Sequence, residues 1–136
     1  MAQRSYRGDP VRVLIADDNE DARLLVHTFL SLIGYDVCSA ADGREAVACA
    51  ERFRPDVVFL DLWMPEMDGI ETCLRLREGP CPPPVPIFAV TADLSRAEEV
   101  PTCFDRVLTK PVDLDRLASL VSHGAARLAR GSAKLH

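Results

Sequence analysis

The chain has 136 residues, enough for one domain around a single hydrophobic core. Hydrophobic residues make up 48% and charged residues 27%, a balance that excludes a disordered chain. A net charge of −5 speaks against non-specific binding to nucleic acid, and no apolar run reaches the length of a membrane span.

Residues 1–10 lack the apolar stretch of a signal peptide and are expected to form a flexible leader. Val11 to Ala16 is a short aliphatic run that reads as a first buried strand and ends in Asp17-Asp18-Asn19. From Glu20 onward Ala22, Leu25, Val26, Phe29, Leu30 and Ile33 recur at helical spacing, and Gly34 supplies the stop. Tyr35 to Ala40 gives a second strand. Asp42-Gly43-Arg44-Glu45 then fits a capping box with an acid at its head, opening a helix with Ala46, Val47, Ala50 and Phe53 inward.

Val57-Val58-Phe59-Leu60 is an unbroken apolar run that leads straight into Asp61, as in a strand buried on both faces of a parallel sheet. Asp68-Gly69-Ile70-Glu71 repeats the capping pattern and starts a helix to about Glu78, with Ile70, Cys73 and Leu74 inward. The proline-rich stretch Gly79 to Pro84 is a stiff loop. Val85 to Val90 is a fourth strand delivering Thr91-Ala92. Ser95-Arg96-Ala97-Glu98 opens a fourth helix that Pro101 keeps short or irregular. Phe104 to Thr109 is a fifth strand handing over Lys110-Pro111. Asp113 caps a last helix that fades near Ala129, leaving 130–136 as a tail. Strand and helix thus alternate five times, which predicts an open five-stranded α/β fold with helices on both faces, spanning 11–129.

The five cysteines (Cys38, Cys49, Cys73, Cys81 and Cys103) form no C-x-x-C pair, and the three histidines are scattered. Neither a zinc site nor a disulfide framework is expected, and the thiols read as small, reduced core residues of a cytoplasmic protein.

In a parallel sheet the strand carboxyl ends lie along one edge, where ligands bind. That edge collects Asp17 and Asp18, Asp61, Thr91 and Lys110 from four different strands. Two carboxylates about 4 Å apart repel by roughly 4 kcal/mol at an effective dielectric near 20, so cations must relieve them. Lys110 supplies one charge. Oxygen-only ligation suits Mg²⁺ for the remainder. A metal, a lysine and a hydroxyl around a carboxylate suit an aspartate that accepts a phosphoryl group.

Asp17-Asp18, the stretch Asp61-Leu62-Trp63-Met64-Pro65-Glu66-Met67-Asp68-Gly69, Thr91-Ala92 and Lys110-Pro111 resemble the receiver domains of two-component response regulators. The resemblance covers nearly the whole chain, with the motifs in the family's order. It implies a flavodoxin-like (CheY-like) sheet of order 2-1-3-4-5 and a Mg²⁺-dependent switch. The phosphoryl group would come from a sensor histidine kinase or a histidine phosphotransfer protein. Asp61 would be the phosphoacceptor. Asp17, Asp18, Asp61 and the backbone carbonyl of Trp63 would hold the metal. Thr91 and Lys110 would bind phosphate oxygens, and a cis peptide would precede Pro111. The face around the fourth and fifth strands would then change to alter the binding of a protein target, as a monomer or a phosphorylation-dependent dimer. No direct contact with nucleic acid or membrane is expected.

Three features depart from the family's pattern. Val107 stands where the family usually carries Tyr or Phe as a rotamer switch, and Thr91 and Lys110 are closer in sequence than usual, shortening the fourth helix. Trp63 stands where small or polar side chains are common, so its indole is expected to cover the phosphorylation pocket, with Asp93 lining the same approach. Two rival readings follow: an atypical adaptor with uncoupled switching, and a phosphatase of the haloacid-dehalogenase type. The second needs an acid where Trp63 stands.

Overall fold

The computed structural model describes residues 4–5, 7–64, 67–93, 95 and 102–134. In chain order they form β1 (Arg12–Ala16), α1 (Glu20–Ile33), β2 (Asp36–Ala40), α2 (Gly43–Phe53), β3 (Val57–Asp61), α3 (Gly69–Glu78), β4 (Ile87–Thr91), β5 (Arg106–Thr109) and α4 (Leu114–Lys134). The strands pair in parallel in the order β2-β1-β3-β4-β5. The chain steps outward from β1 to β2 and then returns past it to β3, so the crevice lies at the carboxyl ends of β1 and β3. The short fourth helix expected from Ser95 onward falls on residues 96–101, outside the described residues. The helix labelled α4 is the one the sequence places last.

Alternation along the strands sorts side chains into two cores. Leu14, Val58, Leu60, Ile87 and Ala89 face α2 and α3, where Ala46, Ala50, Cys73 and Leu76 cover them. Val13, Ile15, Phe59, Phe88 and Val90 face the other way, onto Leu30 of α1 and Leu117, Val121 and Ala125 of α4. Every residue of β3 and β4 is buried, which is why these strands read as continuous apolar runs. Three helices start on side-chain caps: Asn19 accepts from the Ala22 amide, Asp42 from Glu45 and Asp68 from Glu71, at 2.8–2.9 Å. In α2 the box closes through a neighbour, since Glu45 accepts from the amide of Ala41 at 3.2 Å.

Several expectations fail. Only Leu30 of α1 is fully buried, whereas Leu25 and Ile33 are exposed along with Leu24 and Leu32. The helix packs on β1 and β2 near the sheet's edge and scarcely touches α4, so its apolar stripe is wider than the surface it covers. Leu74 also points outward, and Thr72 and Leu76 take the buried face of α3. The last helix does not fade at Ala129 but continues to Lys134. Cys38 on β2 and Cys49 on α2 are joined as a disulfide, because α2 packs directly across β2. Contact with the domain also begins before Val11. Arg4 bridges Pro10, and Arg7 pairs at 2.9 Å with Asp56, whose carboxylate also accepts from the amide of Arg12.

Candidate functional site

Asp61 is the last residue of β3 and is almost fully buried. Each of its carboxylate oxygens has a partner. Oδ2 meets Lys110 Nζ at 2.9 Å, and Oδ1 accepts from the backbone amide of Trp63 at 3.1 Å. Lys110 Nζ also lies 2.9 Å from Asp17 Oδ2, so one ammonium bridges the ends of β1 and β3. Asp17 Oδ1 accepts from the amide of Asn19 at 2.9 Å, and its carbonyl accepts from Arg23 at 2.8 Å. Asp18 is exposed, yet carboxylate oxygens of Asp17, Asp18 and Asp61 all lie within 4.8 Å of one another.

Backbone bonds fix these positions. The Leu62 amide donates to Val90 at 3.0 Å and the Lys110 amide to Thr91 at 2.8 Å, so β3, β4 and β5 deliver their end residues in register. The Gly69 amide donates to Leu62 at 2.9 Å, folding the start of α3 back over the end of β3. A Cβ at Gly69 would lie 2.8 Å from Leu62 Cα and would collide with the Asp61 carbonyl. Only glycine allows that approach. The Lys110–Pro111 peptide bond is cis.

The electrostatics follow from Asp61 and Asp17 sharing the Lys110 ammonium, with the Asp18 carboxylate close by. Burial pushes the Asp61 carboxyl up from its ordinary value; the bonds to Lys110 and the Trp63 amide oppose this, and the Asp17 charge adds to it. For Lys110 burial acts downward, but its bonds to Asp61 and Asp17 outweigh it and hold the amine above its ordinary value. The two directions are compatible: Lys110 gains from two anions, whereas Asp61, among the described residues, shares the Lys110 ammonium with Asp17. The cluster keeps a surplus of negative charge, and its oxygen-only donor set fits a hard divalent cation such as Mg²⁺.

The remaining residues singled out in the sequence take distinct places. Thr91 ends β4 fully buried, and its hydroxyl hydrogen-bonds the backbone of Asp93, accepting from the amide at 3.1 Å. The Asp93 carboxylate accepts from the amide and hydroxyl of Ser95. Trp63 is 37% exposed on the loop after Asp61. Val107 sits opposite Ala89 in the sheet and packs into the α2/α3 core, two residues before Thr109, the partner of Thr91. Sequence reasoning missed Asn19, Arg23 and the close approach at Gly69. A glycine at the head of the helix after Asp61 was the available signal for the last. It also missed an apolar cavity of about 400 Å³ between α1 and α4, floored by Ile15, Phe59 and Val90, with Asp17 and Lys110 at its rim.

The fold has known counterparts. The response regulator receiver domain family matches residues 13–122. The chain is 34% identical over 121 residues to the probable transcriptional regulator ycf27 of Porphyridium aerugineum, covering 89% of this chain and 50% of that protein. It therefore spans about half the length of that curated relative. Among solved structures it is similar to chemotaxis protein CheY4 of Vibrio cholerae, with a TM-score of 0.76, 32% identity and coverage of 84% of this chain and 98% of that one. It is likewise similar to the receiver domain of sensor histidine kinase PA1611 from Pseudomonas aeruginosa PAO1, solved with magnesium in its active-site cleft. There the TM-score is 0.77 at 27% identity, covering 86% of this chain and 98% of that one. An open parallel sheet with acids, a hydroxyl and a lysine at one edge defines a receiver-type signalling module. The chain belongs to the response regulator receiver domain family of two-component signalling. Among the described residues no helix is long and apolar enough to cross a membrane.

Proposed function

We propose that this chain is a phosphorylatable switch in which Asp61 takes a phosphoryl group from the phosphohistidine of a sensor histidine kinase or histidine phosphotransfer protein. The observation that carries this reading is the bridge from Asp61 through Lys110 to Asp17, with Asp18 beside it. In the transfer an Asp61 oxygen forms a bond to phosphorus, the phosphorus–nitrogen bond breaks, and the donor histidine keeps the electron pair. Asp17, Asp18, Asp61 and the carbonyl of Trp63 would hold a Mg²⁺ ion. When bound, the ion supplies positive charge against the phosphoryl oxygens.

Lys110 holds Asp61 in place beforehand and then follows the negative charge onto the phosphoryl oxygens. The Thr91 hydroxyl, now turned to Asp93, gains a phosphate oxygen as partner only by changing its hydrogen bonds. Phosphorylation adds about −1.5 to −2 charges and three acceptor oxygens, which is the driving force for that exchange. Because Thr91 and Lys110 end β4 and β5, the change reaches the face around those strands, where a target protein reads it in the cytoplasm. Val107 favours a variant of this switch without an aromatic rotamer, since a valine packed beside Ala89 has no ring to swing.

A small phosphodonor supplied with Mg²⁺ should label the chain in near-stoichiometric amount, and removal of Mg²⁺ should cut the rate at least tenfold. Equal labelling without Mg²⁺, or equal labelling of Asp61→Asn, would overturn the proposal.

A further inference from the structure

All five cysteines lie on one side of the sheet. Cys49, Cys73 and Cys81 belong to the core under α2 and α3, and Cys38 and Cys103 pack against it. Cys38 and Cys49 are joined, and the other three are free. One bond beside three free thiols is not a disulfide framework. Cys38 sits in the middle of β2, the strand at the sheet's edge, and is half-buried, whereas Cys49 is buried within α2. Of the two sulfurs, Cys38 is therefore the one that a thiol from solvent can reach. The bond spans only 11 positions, and tying so short a loop contributes less than the stability of an ordinary domain. Cys38 also keeps its place by strand pairing and Cys49 by lying in a capped helix. The opened chain is thus folded, as a reversible site requires. The ring that the bond closes holds the carboxyl end of β2, the Asp42 cap and the first turns of α2. Within it Ala40 pairs with Ala16, and its carbonyl accepts from the Asp17 amide at 3.1 Å.

We propose that Cys38–Cys49 is a reversible modification site, opened by a low-molecular-weight thiol, that latches α2 onto β2 beside the backbone of Asp17. A thiolate attacks Cys38 Sγ, the S–S bond breaks, and its electron pair goes to Cys49 Sγ, which takes up a proton. A second thiolate attacks the small-molecule sulfur of the mixed disulfide, and Cys38 leaves with that electron pair and takes up a proton in turn. Two small thiols lose two electrons and become a disulfide, and the protein's disulfide gains them. The small disulfide runs the same steps backwards. Opening the ring removes one of the ties that hold the end of β2, so the Asp17 amide is held less firmly on Ala40. This inference stands apart from the phosphoryl chemistry and survives its failure.

The full chain is equilibrated in mixtures of glutathione and glutathione disulfide, starting once from the reduced protein and once from the oxidised. Samples are acidified, blocked with N-ethylmaleimide in urea and digested without reductant for mass spectrometry. Both starting points should converge on the same fraction of Cys38–Cys49 bond, passing from mostly closed to mostly open as the share of glutathione rises. Cys73 and Cys81 should be recovered as blocked thiols throughout. Near-ultraviolet circular dichroism should stay native in both states, and hydrogen exchange at the Asp17 amide should quicken at least several-fold on opening. Cys49→Ala should take up one glutathione on Cys38, whereas Cys38→Ala should take up none on Cys49. A bond that opens or forms only in urea, a reduced chain that unfolds, or Cys38 joined to another cysteine would overturn the proposal. So would equal exchange of the Asp17 amide in the two states. The parent's map decides the matter even where a variant fails to fold.

Discussion

Asp61 and Asp17 share the single ammonium of Lys110, and that shortage governs how the site responds to protons and metal. Because burial raises the Asp61 carboxyl, the unfolded chain gives up its proton at lower pH than the folded one. Between those two values rising pH therefore costs stability, and above the folded value the loss is complete. Asp61→Asn removes the cost. Without Mg²⁺ its urea midpoint at neutral pH should equal or exceed that of the parent, with the difference vanishing below the ordinary carboxyl range. A clearly lower midpoint would contradict this account of the cluster. Mg²⁺ acts in the opposite sense. At a hundredfold excess over its Kd it should stabilise the parent by about 2.7 kcal/mol. Trp63 is the only tryptophan and its amide holds Asp61, so its fluorescence should follow the titration. Asp18→Asn should weaken Mg²⁺ binding at least tenfold in that assay, and an unchanged titration would remove Asp18 from the metal site. The indole tests a separate idea: if it shields the acyl phosphate, Trp63→Ala should lose its phosphoryl group several-fold faster than the parent.

The elements hold the site through a few tight junctions. Gly69→Ala forces a methyl against Leu62 Cα and the Asp61 carbonyl, so either the start of α3 or the end of β3 must shift. Overpacking of this kind costs about 1–3 kcal/mol, and phosphoryl uptake should fall with it. A fully active Gly69→Ala of parental stability would show that the junction is slack. Arg77 serves α3 as Gly69 does, but at the opposite end. Truncating it to Ala strips partners from the Cys103 carbonyl and the Asp105 carboxylate, for an expected loss of about 2–3 kcal/mol in urea unfolding. At this scale the sequence was legible where periodicity and capping agreed, as in α2, whose Asp42 cap and inward Ala46 and Ala50 are as expected. It was misleading for α1, since periodicity reports an apolar stripe and not the area available to cover it. The Cys38–Cys49 bond was illegible for a related reason. A helix laid across its preceding strand brings together residues 11 apart, and sequence spacing carries no signature of that.

Across the whole molecule, the five parallel strands and the placing of Asp17, Asp18, Asp61, Thr91 and Lys110 on one edge came from the same pattern, whereas the strand order came from the resemblance to receiver domains. Runs ending in a polar residue mark buried parallel strands, and parallel strands all end on one side. What stayed hidden was the pairing within the cluster, above all the double role of Lys110, which depends on side-chain reach and not on position. In the proposed switch, the departures at Trp63 and Val107 would bear on how long the signal lasts and how it leaves the site, not on where it enters. The entry point is therefore the claim on which the rest depends, and it can be tested by locating the phosphoryl group. The chain labelled by a phosphodonor with Mg²⁺ is treated with borohydride, which reduces an aspartyl phosphate to homoserine, and is mapped by mass spectrometry. Homoserine at position 61 is the predicted result. Modification at another acid, or phosphate stable on a hydroxyl side chain with Asp61 unchanged, would contradict it.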